Sequence, residues 1–136
     1  MIRYVAAYGA TLVIFLGIDA IWLTAMSQRL YRPYLGDVLA TNINIVPAVL
    51  FYLVYVAGIV VFASTPAFGT GRWTTAAMFG ALYGFFAYAT YDLTNHATIK
   101  GWPAIITVAD IVWGSALSAT AAAVGFLVTR YVFPVD

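Results

Sequence analysis

Residues 45–64 read IVPAVLFYLVYVAGIVVFAS, twenty positions without a charge, a side-chain amide or a histidine. Coiled as an α-helix at about 1.5 Å per residue, this stretch is about 30 Å long, the thickness of a bilayer's hydrocarbon core. Apolar and polar positions do not alternate along it, so it does not read as a strand of a transmembrane barrel. Three further runs share its character, at about residues 4–26, 73–96 and 103–131. Breakers stand between the runs: Pro66, Gly69 and Gly71 after the second, Gly101 and Pro103 before the fourth. Proline is expected at a helix start and glycine in the loops. The reading is a single all-α domain over residues 1–136, an integral membrane protein with four transmembrane helices in a compact bundle. The first run carries Asp19, is longer than the apolar core of a signal peptide and lacks a small-residue cleavage site, so it is read as a retained helix.

Composition agrees. The chain is 64% hydrophobic and 8% charged, against about 45–50% and about 25% in soluble domains. A chain of 136 residues has too little interior to hide that much apolar surface. Six Lys and Arg against five Asp give no basic face for nucleic acid. The absence of cysteine excludes disulfides, thiol nucleophiles and cysteine-held clusters. No P-loop, GxSxG or HExxH pattern is present, and no cofactor is expected. Arg3, Arg72 and Arg130 fall on one side of the four spans and Arg29, Arg32 and Lys100 on the other, so loop charge sets no orientation.

The informative residues are polar ones inside the spans. Asp19, Asp92 and Asp110 each lie within an apolar run, where a carboxylate at mid-helix costs about 2.5–3.5 kcal/mol on insertion scales. Asp19 precedes Met26 by seven residues, Asp92 precedes His96 by four, and Asp110 follows Pro103 by seven. Counted from those three helix ends, all three lie about 6–10 Å below one surface. Their neighbours are patterned too. Trp22 and Trp113 stand at i+3 from Asp19 and Asp110, and Asp92 has Tyr88 at i−4, Asn95 at i+3 and His96 at i+4. These spacings share a helix face. The expectation is a polar pocket in one leaflet made by Asp19, Trp22, Tyr88, Asp92, Thr94, Asn95, Asp110 and Trp113. Arg29, Arg32, Tyr34 and Lys100 are expected at its mouth, in loops 27–44 and 97–102. There they either neutralise the aspartates or receive an anionic headgroup.

A plainer account competes. An intramembrane aspartate can be structural, bonded to an indole or a neighbouring helix or kept protonated. A metal is not expected, because the three Asp and His96 lack ligand spacing such as HxxxH or ExxH. Gly80 and Gly84 form a GxxxG step, and Gly114, Ser118 and Ala122 a small-residue stripe. They are read as packing inside the bundle, with a homodimer seam as the alternative. Trp73, Trp102, Tyr31, Tyr34 and Tyr131 lie near expected helix ends and are read as interfacial aromatics without chemistry.

GIDAIWL at 17–23, YRPYLG at 31–36, FYLVYVAG at 51–58, YDLTNHATIKGWP at 91–103 and DIVWG at 110–114 resemble a bacterial family of small predicted membrane proteins, known only as a domain of unknown function. The likeness runs over nearly the whole chain, and the Tyr-Asp-Leu-Thr-Asn stretch is its most specific part. It implies a bacterial four-helix inner-membrane protein and carries no activity. The family motif matches Asp19, Trp22, Tyr34, Asp92, Thr94, Asn95, Lys100, Trp102, Pro103, Asp110, Trp113 and Gly114. It does not require histidine at position 96.

Three functional readings follow. The first is a protein that binds or processes a membrane lipid or lipid-like amphiphile, headgroup among the carboxylates and tail between helices. Enzymatic chemistry there would fall to Asp92 as acid or base, since no activated Ser or Cys is present. The second is a proton- or cation-coupled transporter or channel, which needs an oligomer because four helices offer too little wall. The third is an accessory subunit of a membrane complex.

Overall fold

Four helices account for most of residues 1–134, the part of the chain described by the computed structural model. They are α1 (Ile2–Leu35), α2 (Ile45–Thr70), α3 (Trp73–Thr98) and α4 (Ala104–Val132). Among the described residues there is no strand. Asp136, in the domain assigned from sequence, lies outside the described residues.

Two helices run further than their sequence suggests, for one reason. The first was expected to stop near Met26, yet the helix continues to Leu35 through a widened turn at Ser27–Tyr31. The second was expected to stop before Pro66, yet it continues to Thr70 through a widened turn at Val60–Ser64. In an α-helix a proline ring collides with the carbonyl four residues back and donates no bond. Here the turn before each proline is a π-turn: the Arg32 N–H bonds Ser27 O ahead of Pro33, and the Thr65 N–H bonds Val60 O ahead of Pro66. The extra residue per turn shifts the local ladder, and the helix bends through the proline instead of ending. The Thr65 hydroxyl adds a 3.0 Å bond to Val60 O. Gly69 is therefore inside the last helical turn, and the stop is Gly71, left-handed at φ 69°, whose N–H closes on Ala67 O at 2.8 Å.

α3 and α4 form the most extensive helix pair, and α1 packs next on α4. Gly80 and Gly84 let the backbones meet. A Cβ on Gly80 would stand 2.7 Å from Ser118 O and 2.9 Å from the Ala122 Cβ. A Cβ on Gly84 would run into the Gly114 carbonyl. The small-residue stripes thus pack within the bundle, as a GxxxG step permits. Phe15, Val56, Ile59, Leu117 and Phe126 fill the centre.

The outside is apolar. Val13, Val54, Phe86 and Val108, one from each helix, are all exposed, Val54 at 69%. α1, α2 and α4 are long and apolar enough to cross a membrane. α3 has the length, but Thr90, Tyr91, Asp92, Thr94, Asn95 and His96 lower the hydropathy of its second half. Its Met78, Leu82, Phe85 and Phe86 still face outward. An apolar exterior around buried carboxylates is the arrangement a bilayer demands.

Candidate functional site

α1, α2, α3 and α4 enclose a cavity of about 420 Å³ lined by twelve residues. α1 gives Asp19, Trp22, Leu23 and Tyr31; α2 gives Phe51, Tyr52 and Tyr55; α3 gives Ala87, Tyr88 and Tyr91; α4 gives Asp110 and Trp113. Leu23, Phe51 and Tyr91 are exposed and form its rim, while Asp19 and Asp110 are buried.

The polar groups are cross-wired. Asp19 accepts from the Tyr52 hydroxyl at 2.6 Å and from the Trp113 indole N–H at 3.2 Å. Asp110 accepts from the Tyr31 hydroxyl at 2.6 Å, and that hydroxyl accepts the Trp22 indole N–H at 3.0 Å. The two indoles stack, centroids 4.2 Å apart and planes 9° off parallel. Each tryptophan at i+3 from an aspartate therefore serves the other aspartate, one directly and one through Tyr31. The i+3 spacing aligns each indole with its own helix face, and the facing helix supplies the partner.

Asp92 is fully buried, and neither of its oxygens has a hydrogen-bond partner among the described residues. It does not line the cavity, whose α4 wall carries Asp110. A fully buried carboxyl without a partner is least costly when it holds its proton. Asp92, the expected acid or base, therefore stands outside the cavity lining, whereas Asp19 and Asp110 are part of it.

The other expected site residues divide. Thr94 is exposed, and its hydroxyl bonds its own helix at Tyr91 O, 2.9 Å away. Asn95 is half-buried and outside the cavity wall. Side-chain back-bonding to the preceding turn satisfies such a threonine without any ligand. Arg29 and Arg32 are exposed and do not line the cavity. Tyr34 and Lys100 line a separate cleft of about 270 Å³ with Asp37 and Trp102. The helical continuation to Leu35 places Arg29, Arg32 and Tyr34 on a helix instead of in the expected loop, while Lys100 stays in the 99–103 connection. His96 meets Thr107 at 3.3 Å, and Thr107 accepts the Trp102 indole at 3.1 Å. Among the described residues no three His, Asp or Glu gather closely enough to hold a metal ion.

Five aromatic residues of the wall were not among the expected site residues. Tyr31 was read as an interfacial aromatic, and the second helix was given no site residue although it supplies Phe51, Tyr52 and Tyr55. The signal was present: Tyr52 and Tyr55 are the polar side chains of an otherwise apolar run, and Phe51 and Tyr55 are i, i+4 on one face. Tyr91 was the fifth.

Outward apolar side chains, inward carboxylates and three helices of membrane-crossing length define a helical membrane protein. The chain belongs to the family described as "Predicted membrane protein (DUF2177)", whose model matches residues 4–127. No curated protein and no solved structure matches the chain.

Proposed function

We infer that this chain is a multi-pass protein of the bacterial inner membrane that binds or processes a lipid-like amphiphile. One observation carries the reading: a cavity of about 420 Å³ whose rim is apolar and whose base holds two buried carboxyls. That volume is in the range of small-molecule sites, about 300–1,000 Å³, and its mix of apolar wall and few polar groups is theirs too. The headgroup meets Asp19 and Asp110, and the tail leaves past Leu23, Phe51 and Tyr91 into the surrounding acyl chains. If the protein acts on its ligand, the chemistry is proton transfer at Asp110.

Native mass spectrometry from a mild detergent tests this. The wild type should retain a reproducible lipid mass, and Asp19→Asn with Asp110→Asn should release it. Loss of every adduct from the wild type in several detergents would overturn the reading.

A further inference from the structure

The cavity wall also carries a preference for one kind of headgroup. Resting on the amphiphile reading above, we propose that the ligand is an amphiphilic amine whose ammonium group sits between Asp19 and Asp110 against the aromatic wall.

Charge is the first argument. Asp19 and Asp110 line the cavity, and none of the other ten lining residues is Lys, Arg or His. The groups that bond these carboxyls are the neutral donors Tyr52, Trp113 and Tyr31. An anionic headgroup placed here meets two acids and no cation, at a depth where little water screens the repulsion. An ammonium supplies the missing charge.

Hydrogen-bonding capacity is the second. Asp110 is nine-tenths buried and uses Oδ1 for Tyr31. Its Oδ2 accepts no hydrogen bond from a described residue, although the side chain faces the cavity. Oδ2 is thus an acceptor open to an occupant of the cavity, and the group that completes it must be a donor. Phosphate and sulfate oxygens are not donors; an ammonium is.

The wall is the third. Eight of the twelve lining residues are aromatic, which is far more than an apolar seal for a tail requires. Ring faces attract cations, and aromatic cages bind alkylated ammonium groups in this way. The stacked Trp22 and Trp113 bridge the two aspartates, so the charged and aromatic elements form one surface. A polyol would satisfy the free oxygen but would gain nothing from the rings.

The ammonium can belong to an aminophospholipid of the bilayer or to a free amphiphilic amine, and two measurements separate these sources. The first takes protein from nanodiscs made of equal parts phosphatidylethanolamine and phosphatidylglycerol with matched chains, and reads retained lipid by native mass spectrometry. The second titrates a Trp73→Phe/Trp102→Phe background, in which only Trp22 and Trp113 emit, with dodecylammonium and with dodecyl phosphate. Dodecylammonium should bind at least about tenfold more tightly than dodecyl phosphate, and Asp110→Asn should remove about tenfold of that affinity. The comparison of the two amphiphiles is made on unsubstituted carboxyls, so it stands even if the aspartate variants fold poorly. Enrichment of phosphatidylethanolamine together with dodecylammonium binding supports a bilayer lipid. Dodecylammonium binding without lipid enrichment supports a free amine. Equal retention of both lipids with equal binding of both amphiphiles would overturn the ammonium proposal and leave the amphiphile reading intact. No retention and no binding of any probe would overturn both.

Discussion

Between α3 and α4 the backbones touch across Gly80, Gly84 and Gly114, whereas the space around Asp19 and Asp110 is held open by rings and hydroxyls. The two regions adjoin at Gly114. There a Cβ would run into the ring of Tyr88, which is itself part of the cavity wall. The difference shows how a small membrane protein keeps a cavity. Lipid gives helices no hydrophobic reason to associate, so close van der Waals contact must hold the pair together. With α3 clamped to α4, large side chains on α1 and α2 are free to bridge a gap instead of closing it.

The comparison breaks most severely at Gly84. Gly84→Leu pushes a side chain into the Gly114 backbone, which cannot swing away, and into the Ser118 hydroxyl. Overpacking of that kind costs about 3 kcal/mol or more, and thermal unfolding in detergent should show the loss. Gly114→Ala should cost less, about 1–2 kcal/mol, because the obstacle is a side chain. Its signature is rescue: adding Tyr88→Ala should recover part of the stability lost, a coupling of opposite sign to simple addition. If the double variant is no better than the sum of the two, Tyr88 is not seated on that glycine.

Hydroxyl deletions probe the open region. Tyr52→Phe leaves Asp19 with Trp113 alone, and Tyr31→Phe breaks the link from Trp22 to Asp110. Each should cost about 1–3 kcal/mol, the penalty of stranding a buried acceptor. Asp92 sharpens the point further. Asp92→Asn replaces a buried protonated acid by a neutral group of the same shape and should leave the melting temperature nearly unchanged, whereas Asp92→Ala opens a void and should lower it clearly. Equal effects would argue against a neutral Asp92. Thr94→Ala is the smallest change, within about 0.5 kcal/mol, since that hydroxyl serves only its own helix.

The helices were legible because a twenty-residue apolar run has few other fates. Burial of Asp19, Asp92 and Asp110 was legible for the same reason: a carboxyl that cannot face lipid must turn inward. Partner choice was not. Spacing places Trp22 beside Asp19 and Trp113 beside Asp110 on their own helices, but the hydrogen bonds cross between helices, and helix rotation is set by packing that spacing does not encode. The two proline-spanning extensions were hidden because a π-turn leaves no simple sequence mark. One extension mattered for the site, since it carries Tyr31 back to Asp110. Arg29, Arg32 and Tyr34 were expected at the mouth from a loop at 27–44, of which only residues 36–44 lie outside the helices, and Lys100 lines a separate cleft.

The central claim is that the space above Asp19 and Asp110 is a binding site and not a packing defect. Crystals grown from a lipid phase test it most directly, by showing what fills about 420 Å³ between the four helices. The account predicts elongated density with one end within hydrogen-bonding distance of Asp19 or Asp110 and the other leaving between Leu23, Phe51 and Tyr91. A cavity closed by collapse of Tyr88 and the two indoles, or filled only by water bonded to the carboxyls, would contradict it.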